Sequence, residues 1–133
     1  MKVETSTLTK TALDWAVAIA LGIPREEIRL PRIKDFSLCR YLRDEDGELN
    51  GSYRTGPDLL FSSKWEAGGP IIERERIEVR PTTVSLADPT KNWSASIHDV
   101  WMFMPGPTPL IAAMRCFCAS RLGDEVDVPE ELL

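Results

Sequence analysis

The segment Gly106-Pro107-Thr108-Pro109-Leu110-Ile111-Ala112-Ala113-Met114-Arg115 constrains the fold more than any other part of this chain. Thr108 suits an N-cap, because its side-chain oxygen can accept a backbone N–H of the first turn. Pro109 suits the first helical position, where no N–H is needed. The pattern predicts a helix from Pro109 to Leu122, with Gly123 as its stop. A helix start of this kind also exposes N–H groups and a partial positive charge, which together can hold an anion. A well-made helix start is the simpler use of the same residues.

A second helix is predicted over residues 9–21. Thr9 or Thr11 is the cap, Leu13, Ala16, Val17, Ala20 and Leu21 recur at three- and four-residue spacing, and Gly22 and Pro24 end it. Trp15 lies off the centre of that stripe. Between the two helices the pattern is short and strand-like. Ile28 to Leu42 alternates with a break at Pro31, Leu59 to Ser62 reads as a short strand, and Ile77 to Leu86, Trp93 to His98 and Val100 to Met104 read as further strands. Gly68-Gly69-Pro70 predicts a glycine-rich turn leading into a proline-started helical turn, and Asp88 to Asn92 a turn. Residues 44–51 read as a mobile acidic loop with a turn at Asn50-Gly51, and residues 124–133 as an acidic C-terminal tail, extended around Pro129. The expected fold is α+β, an antiparallel sheet of short strands packed with an N-terminal and a C-terminal helix, in a single domain, 1–133.

Composition narrows the function classes. A net charge of −5 with a pI near 4.9 disfavours nonspecific binding to nucleic-acid phosphate. The longest apolar stretch, Ala16 to Leu21, is too short to span a bilayer, and residues 1–10 carry no secretory pattern, so the expected location is the cytoplasm. Cys39, Cys116 and Cys118 form no disulfide framework. On a helix, Cys116 and Cys118 point about 200° apart. With His98 the only histidine, no metal site and no cofactor is expected. His98 beside Asp99, and Glu73 and Glu75 beside Arg74 and Arg76, are the nearest approach to catalytic groups, and ordinary surface explains them better. The acidic loop lacks the spacing of a calcium loop, and Gly68-Gly69 lacks the lysine of a phosphate loop. Arg29, Arg32, Lys34, Arg40 and Arg43 form the most basic stretch. Arg40-Tyr41-Leu42-Arg43 with Tyr53-Arg54 offers only a weak nucleic-acid pattern.

Three blocks carry a resemblance across nearly the whole chain: Ala12 to Ala18, Trp65 to Glu75, and Gly106 to Arg115 continuing to Val126. They resemble the NinX-like family of small proteins from tailed bacteriophages and prophages. The resemblance implies a phage-encoded protein acting in the bacterial cytoplasm, with no established activity and no assigned catalytic residues. Leu30 to Gly56 is longer and less family-like.

The residues favour a non-enzymatic binding protein. Trp65 sits beside Gly68, Gly69 and Pro70, where glycines allow close backbone approach and the indole can stack on a planar group. With Arg74, Trp93, Thr108 and Arg115 they form the candidate ligand site. Thr108 faces a phosphate at the helix start, and Arg115 reaches it only by folding back. Core or lid roles for Trp65 and Trp93 are the plainer reading. The leading specific hypothesis is a nucleotide-like ligand, sequestered as a bacterial immune signal. The alternative is a module that docks on a host or phage protein, and four tryptophans with an apolar Val100 to Met104 predict a homo-oligomer, a dimer.

Overall fold

The computed structural model describes residues 1–32, 37–82, 88–97 and 103–133. Among them are three helices, α1 (Lys10–Ala20), α2 (Trp65–Glu75) and α3 (Pro109–Leu122). Eight short strands join them: β1 (Lys2–Glu4), β2 (Ile28–Arg29), β3 (Cys39–Arg43), β4 (Leu49–Arg54), β5 (Ile77–Pro81), β6 (Trp93–Ile97), β7 (Met104–Gly106) and β8 (Glu125–Asp127). The strands form three small antiparallel sheets, ordered β1-β8, β2-β3-β4 and β5-β6-β7. The fold is α+β, as expected, but its sheet is divided into three.

α3 is the centre of the molecule. Thr108 caps it, Oγ1 accepting the Ile111 backbone N–H at 3.1 Å, with Pro109 at its first position. Gly123, with φ of +91°, follows its last residue. Leu110 and every residue from Ala112 to Cys118 are buried, so α3 has no solvated face along that run. A helix buried on all sides must be wrapped by other elements, and β5, β6, β7, α1 and α2 wrap it. α1 presents Leu13, Ala16, Val17 and Ala20 to the core. Thr9 takes the N-cap position of α1 without a side-chain cap bond. Trp15 is also buried, with the Arg25 guanidinium 5.2 Å from its ring centre.

Four local expectations are overturned. Leu59 to Ser62 is not a strand: residues 57–59 form a 3-10 turn, and the chain turns on into α2. Gly68-Gly69-Pro70 lies inside α2 rather than in a turn. Asn50-Gly51 lies within β4, and the tight turn of that hairpin falls earlier, where Asp44 Oδ1 accepts the N–H groups of Asp46 and Glu48 at 2.9 and 3.0 Å. Residues 124–133 do not trail from the domain. β8 pairs with β1, Val126 opposite Val3, and Val126 and Val128 are buried. Buried Thr5 ties that sheet to the end of α3, its Oγ1 donating to the Gly123 carbonyl at 2.7 Å. Asp88 to Asn92 holds a 3-10 turn over residues 89–91, capped by Asp88. The expected strand stretches beyond Pro81, beyond Ile97 and before Phe103 run into 83–87 and 98–102, outside the described residues.

Candidate functional site

The residues expected to bind a ligand separate into an exposed group and a committed group. Trp65 is 57% exposed at the start of α2, and a Cβ built on Gly69 would meet its ring at 3.8 Å. Pro70 and Arg74 are exposed on the same helix. Gly68 faces the other way. A Cβ there would lie 2.5 Å from the Phe61 carbonyl oxygen and 2.6 Å from a Leu110 methyl, so this glycine serves helix packing. Trp93 is half-buried against the core, opposite Pro81 and Gly106 in register.

Thr108 and Arg115 are engaged by the protein's own backbone. Thr108 Oγ1 is the α3 cap. The Arg115 side chain does fold back toward the helix start, as a contact there requires, but it is buried and donates to the carbonyls of Leu8 and Pro105 at 2.8 and 3.0 Å. Burial lowers its guanidinium from the usual arginine range. Gly106, just before the cap, allows the chain to touch α3. A Cβ there would lie 2.6 Å from the Ala112 nitrogen.

The outer face of the β5-β6-β7 sheet holds a constellation that sequence reasoning missed. Alternation sends Ile77, Ala95 and Ile97 inward to α3, and it sends Arg80, Ser94 and Pro105, which lie side by side in register, to the opposite face. There the Arg80 guanidinium lies 3.8 Å from the centre of the Phe103 ring, which is 39% exposed. Arg80, Thr82, Lys91, Ser94 and Phe103 line a cleft of about 520 Å³, together with Pro81 and Pro105. No carboxylate lines it among the described residues. Glu78 approaches Arg80 only to 4.0 Å, with both side chains largely in solvent. Thr82 Oγ1 is buried without a hydrogen-bond partner among the described residues. The available signal was the spacing of exposed Glu78 and Arg80 at alternate positions of β5, which marks a solvated strand face, but nothing local says that Phe103 lies under Arg80.

Other chemistry is sparse among the described residues. Burial pushes the Cys116 thiol up to about 11 and Cys118 higher still, Asp14 and Cys116 adding to the effect at Cys118, so both stay protonated at neutral pH. No group of three His, Cys, Asp or Glu residues is placed to hold a metal ion. Glu75 is ion-paired with Arg121. His98 and Asp99 lie outside the described residues. No described helix is long and apolar enough to cross a membrane.

A protein-family model described as Bacteriophage P22, NinX, matches residues 4–121 of the 133. The chain belongs to that family. The match takes in α1, α2, α3 up to its last residue but one, and the sheet that carries the Arg80–Phe103 stack. It places the chain among bacteriophage accessory proteins, and it stops before β8, the strand that closes on β1. A search of curated proteins found no match.

Proposed function

We propose that this NinX-family protein is a non-enzymatic binding protein for a small, planar, anionic ligand of the nucleotide kind, held on the outer face of the β5-β6-β7 sheet. The stack of Arg80 on Phe103, beside Lys91 and the hydroxyls of Thr82 and Ser94, carries this reading. A ring stacks on phenylalanine or on a guanidinium plane, and two cations without a lining carboxylate attract phosphate. With Thr108 and Arg115 committed to backbone, the weight passes from the α3 start to this sheet face. In a bacteriophage accessory protein, such a site would sequester a nucleotide signal of the host's immune system.

Calorimetry with a panel of cyclic and linear nucleotides tests the reading. Wild type binds at least one of them, and Phe103→Ala loses about 1–3 kcal/mol of binding, the range for removing an aromatic stacking platform. Lys91→Ala weakens the same ligand. A wild-type protein that binds none of the panel, or a Phe103→Ala variant that binds as well, overturns it.

One observation favours a second reading, docking on a host or phage protein. Trp65 is the most exposed of the described tryptophans, and it stands on a rigid helix beside Gly69, with Pro70 and Arg74 nearby. Tryptophan is a frequent energetic anchor of protein interfaces. A photo-crosslinker at position 65 that captures one discrete host or phage protein supports this reading, and capture of nothing but solvent counts against it. Dimerisation is proposed on the same ground of exposed apolar side chains, and light scattering at micromolar concentration tests it.

A further inference from the structure

The β2-β3-β4 sheet carries a second cleft whose chemistry matches the first, on different residues. Its basic stretch divides in two. Arg40 is paired with Glu27 at 3.0 Å, Arg43 with Glu26 at 3.2 Å, and Arg54 with Asp58 at 3.0 Å, so the arginines of the weak nucleic-acid pattern are neutralised. Arg29 and Arg32 have no carboxylate within ion-pair distance among the described residues. Arg29 pairs with Cys39 and Tyr41 with Tyr53, so alternation puts Arg29, Cys39, Tyr41 and Tyr53 on one face. The Arg29 guanidinium lies 4.3 Å from the centre of the Tyr53 ring, which is 42% exposed. Arg29, Arg32, Ser37, Tyr53 and Thr55 line a cleft of about 420 Å³ with no carboxylate among its described residues.

We propose that this face is a second, separate binding site for a small phosphate-bearing aromatic molecule such as a mononucleotide. A guanidinium stacked on a phenol ring still presents its N–H edge, which matches two phosphate oxygens at once. Arg32 adds charge, the Tyr53 ring offers a flat surface, and Ser37 and Thr55 offer hydroxyls. The ligand is short. Asp44, Glu45, Asp46 and Glu48 are exposed at the tip of the β3–β4 hairpin and would repel phosphates of a strand running along it, within a screening length of about 10 Å. The proposal uses the same ring-and-phosphate chemistry as the proposed function but none of its residues.

Nuclear magnetic resonance separates the two sites, because each arginine Nε–H reports on its own cleft. The ¹⁵N-labelled protein is titrated with adenosine monophosphate and, separately, with inorganic phosphate. The Arg29 Nε–H and Tyr53 signals should move saturably, Arg29→Gln should weaken that site about tenfold or more, and Arg80→Gln should leave it unchanged. Loss of the Arg29 response in Arg80→Gln overturns a separate site, as does unaltered binding in Arg29→Gln. Inorganic phosphate binding as tightly as adenosine monophosphate reduces the cleft to an adventitious anion site. If the β3–β4 amide signals of Arg29→Gln indicate misfolding, Arg32→Gln replaces it and must weaken binding likewise. A response at Arg80 alone leaves the proposed function standing and refutes the second site; a response at Arg29 alone supports the second site and leaves the first to be decided by the nucleotide panel.

Discussion

The Arg115 guanidinium donates from Nε to the Leu8 carbonyl at 2.8 Å, tying α3 to the chain that leads into α1. Its second bond, to Pro105, ties α3 to β7. Arg115→Met keeps most of the volume but leaves two carbonyls unserved, and we expect a loss of about 2–4 kcal/mol. Arg115→Lys should recover little, because an ammonium cannot span both acceptors in the fork geometry. Urea unfolding measures this, and unchanged midpoints would mean that water serves those carbonyls.

Asp14 gives stability a definite pH dependence. Its carboxylate is buried in α1 and accepts the Ser62 N–H at 2.8 Å. Burial outweighs the bonds from Ser62 and pushes its pKa up to about 6. The folded state therefore holds a proton that the unfolded chain has already released between about pH 4 and pH 6. Stability from this group is full below that window, falls as pH rises through it, and is flat above. Two units correspond to about 3 kcal/mol at most. Asp14→Asn should remove that slope while keeping an acceptor for Ser62. Parallel slopes for the two proteins from pH 4 to 7 would place the titration elsewhere.

Three glycines should respond to alanine in different ways. At Gly106 the new Cβ meets backbone, Ala112 N at 2.6 Å and Cα at 2.8 Å, and at Gly68 it meets the Phe61 carbonyl at 2.5 Å. Backbone cannot step aside, so each substitution should cost about 1–3 kcal/mol or more. At Gly69 the nearest atom is in the Trp65 ring at 3.8 Å, an ordinary contact. Gly69→Ala should be neutral or stabilise by up to about 1 kcal/mol, the helix-propensity difference. Thermal melts of the three variants should rank Gly69→Ala highest.

Leu110→Ala should cost about 2–5 kcal/mol, and Leu13→Ala the same, because both side chains are buried. Ile111 is only partly buried and should lose less. At the hairpin tip, Glu45→Gln and Asp46→Asn should stay within about 0.5 kcal/mol. Asp44→Ala should cost more than Asp44→Asn, since only the latter keeps the oxygen that accepts from Asp46 and Glu48. Denaturant midpoints across the set check the order.

Sequence by itself determined the elements whose signals are local. Thr108, Pro109 and Gly123 define α3 at both ends, because capping and left-handed stops need only neighbouring residues. The α1 stripe and the strands beginning at Ile77 and Trp93 are read from periodicity in the same way. Tertiary structure decided everything that depends on what lies across a gap. Gly68-Gly69-Pro70 reads as a turn by propensity, yet it is helical where Gly68 lets α2 close on Phe61 and Leu110. The last ten residues read as a tail by charge, yet β1 offers them a partner and Val126 and Val128 a place in the core. The arginines followed the same rule. Nothing local distinguishes Arg115, spent on two carbonyls, from Arg80 and Arg29, stacked on rings in open clefts, because burial and pairing are set by residues distant in the chain.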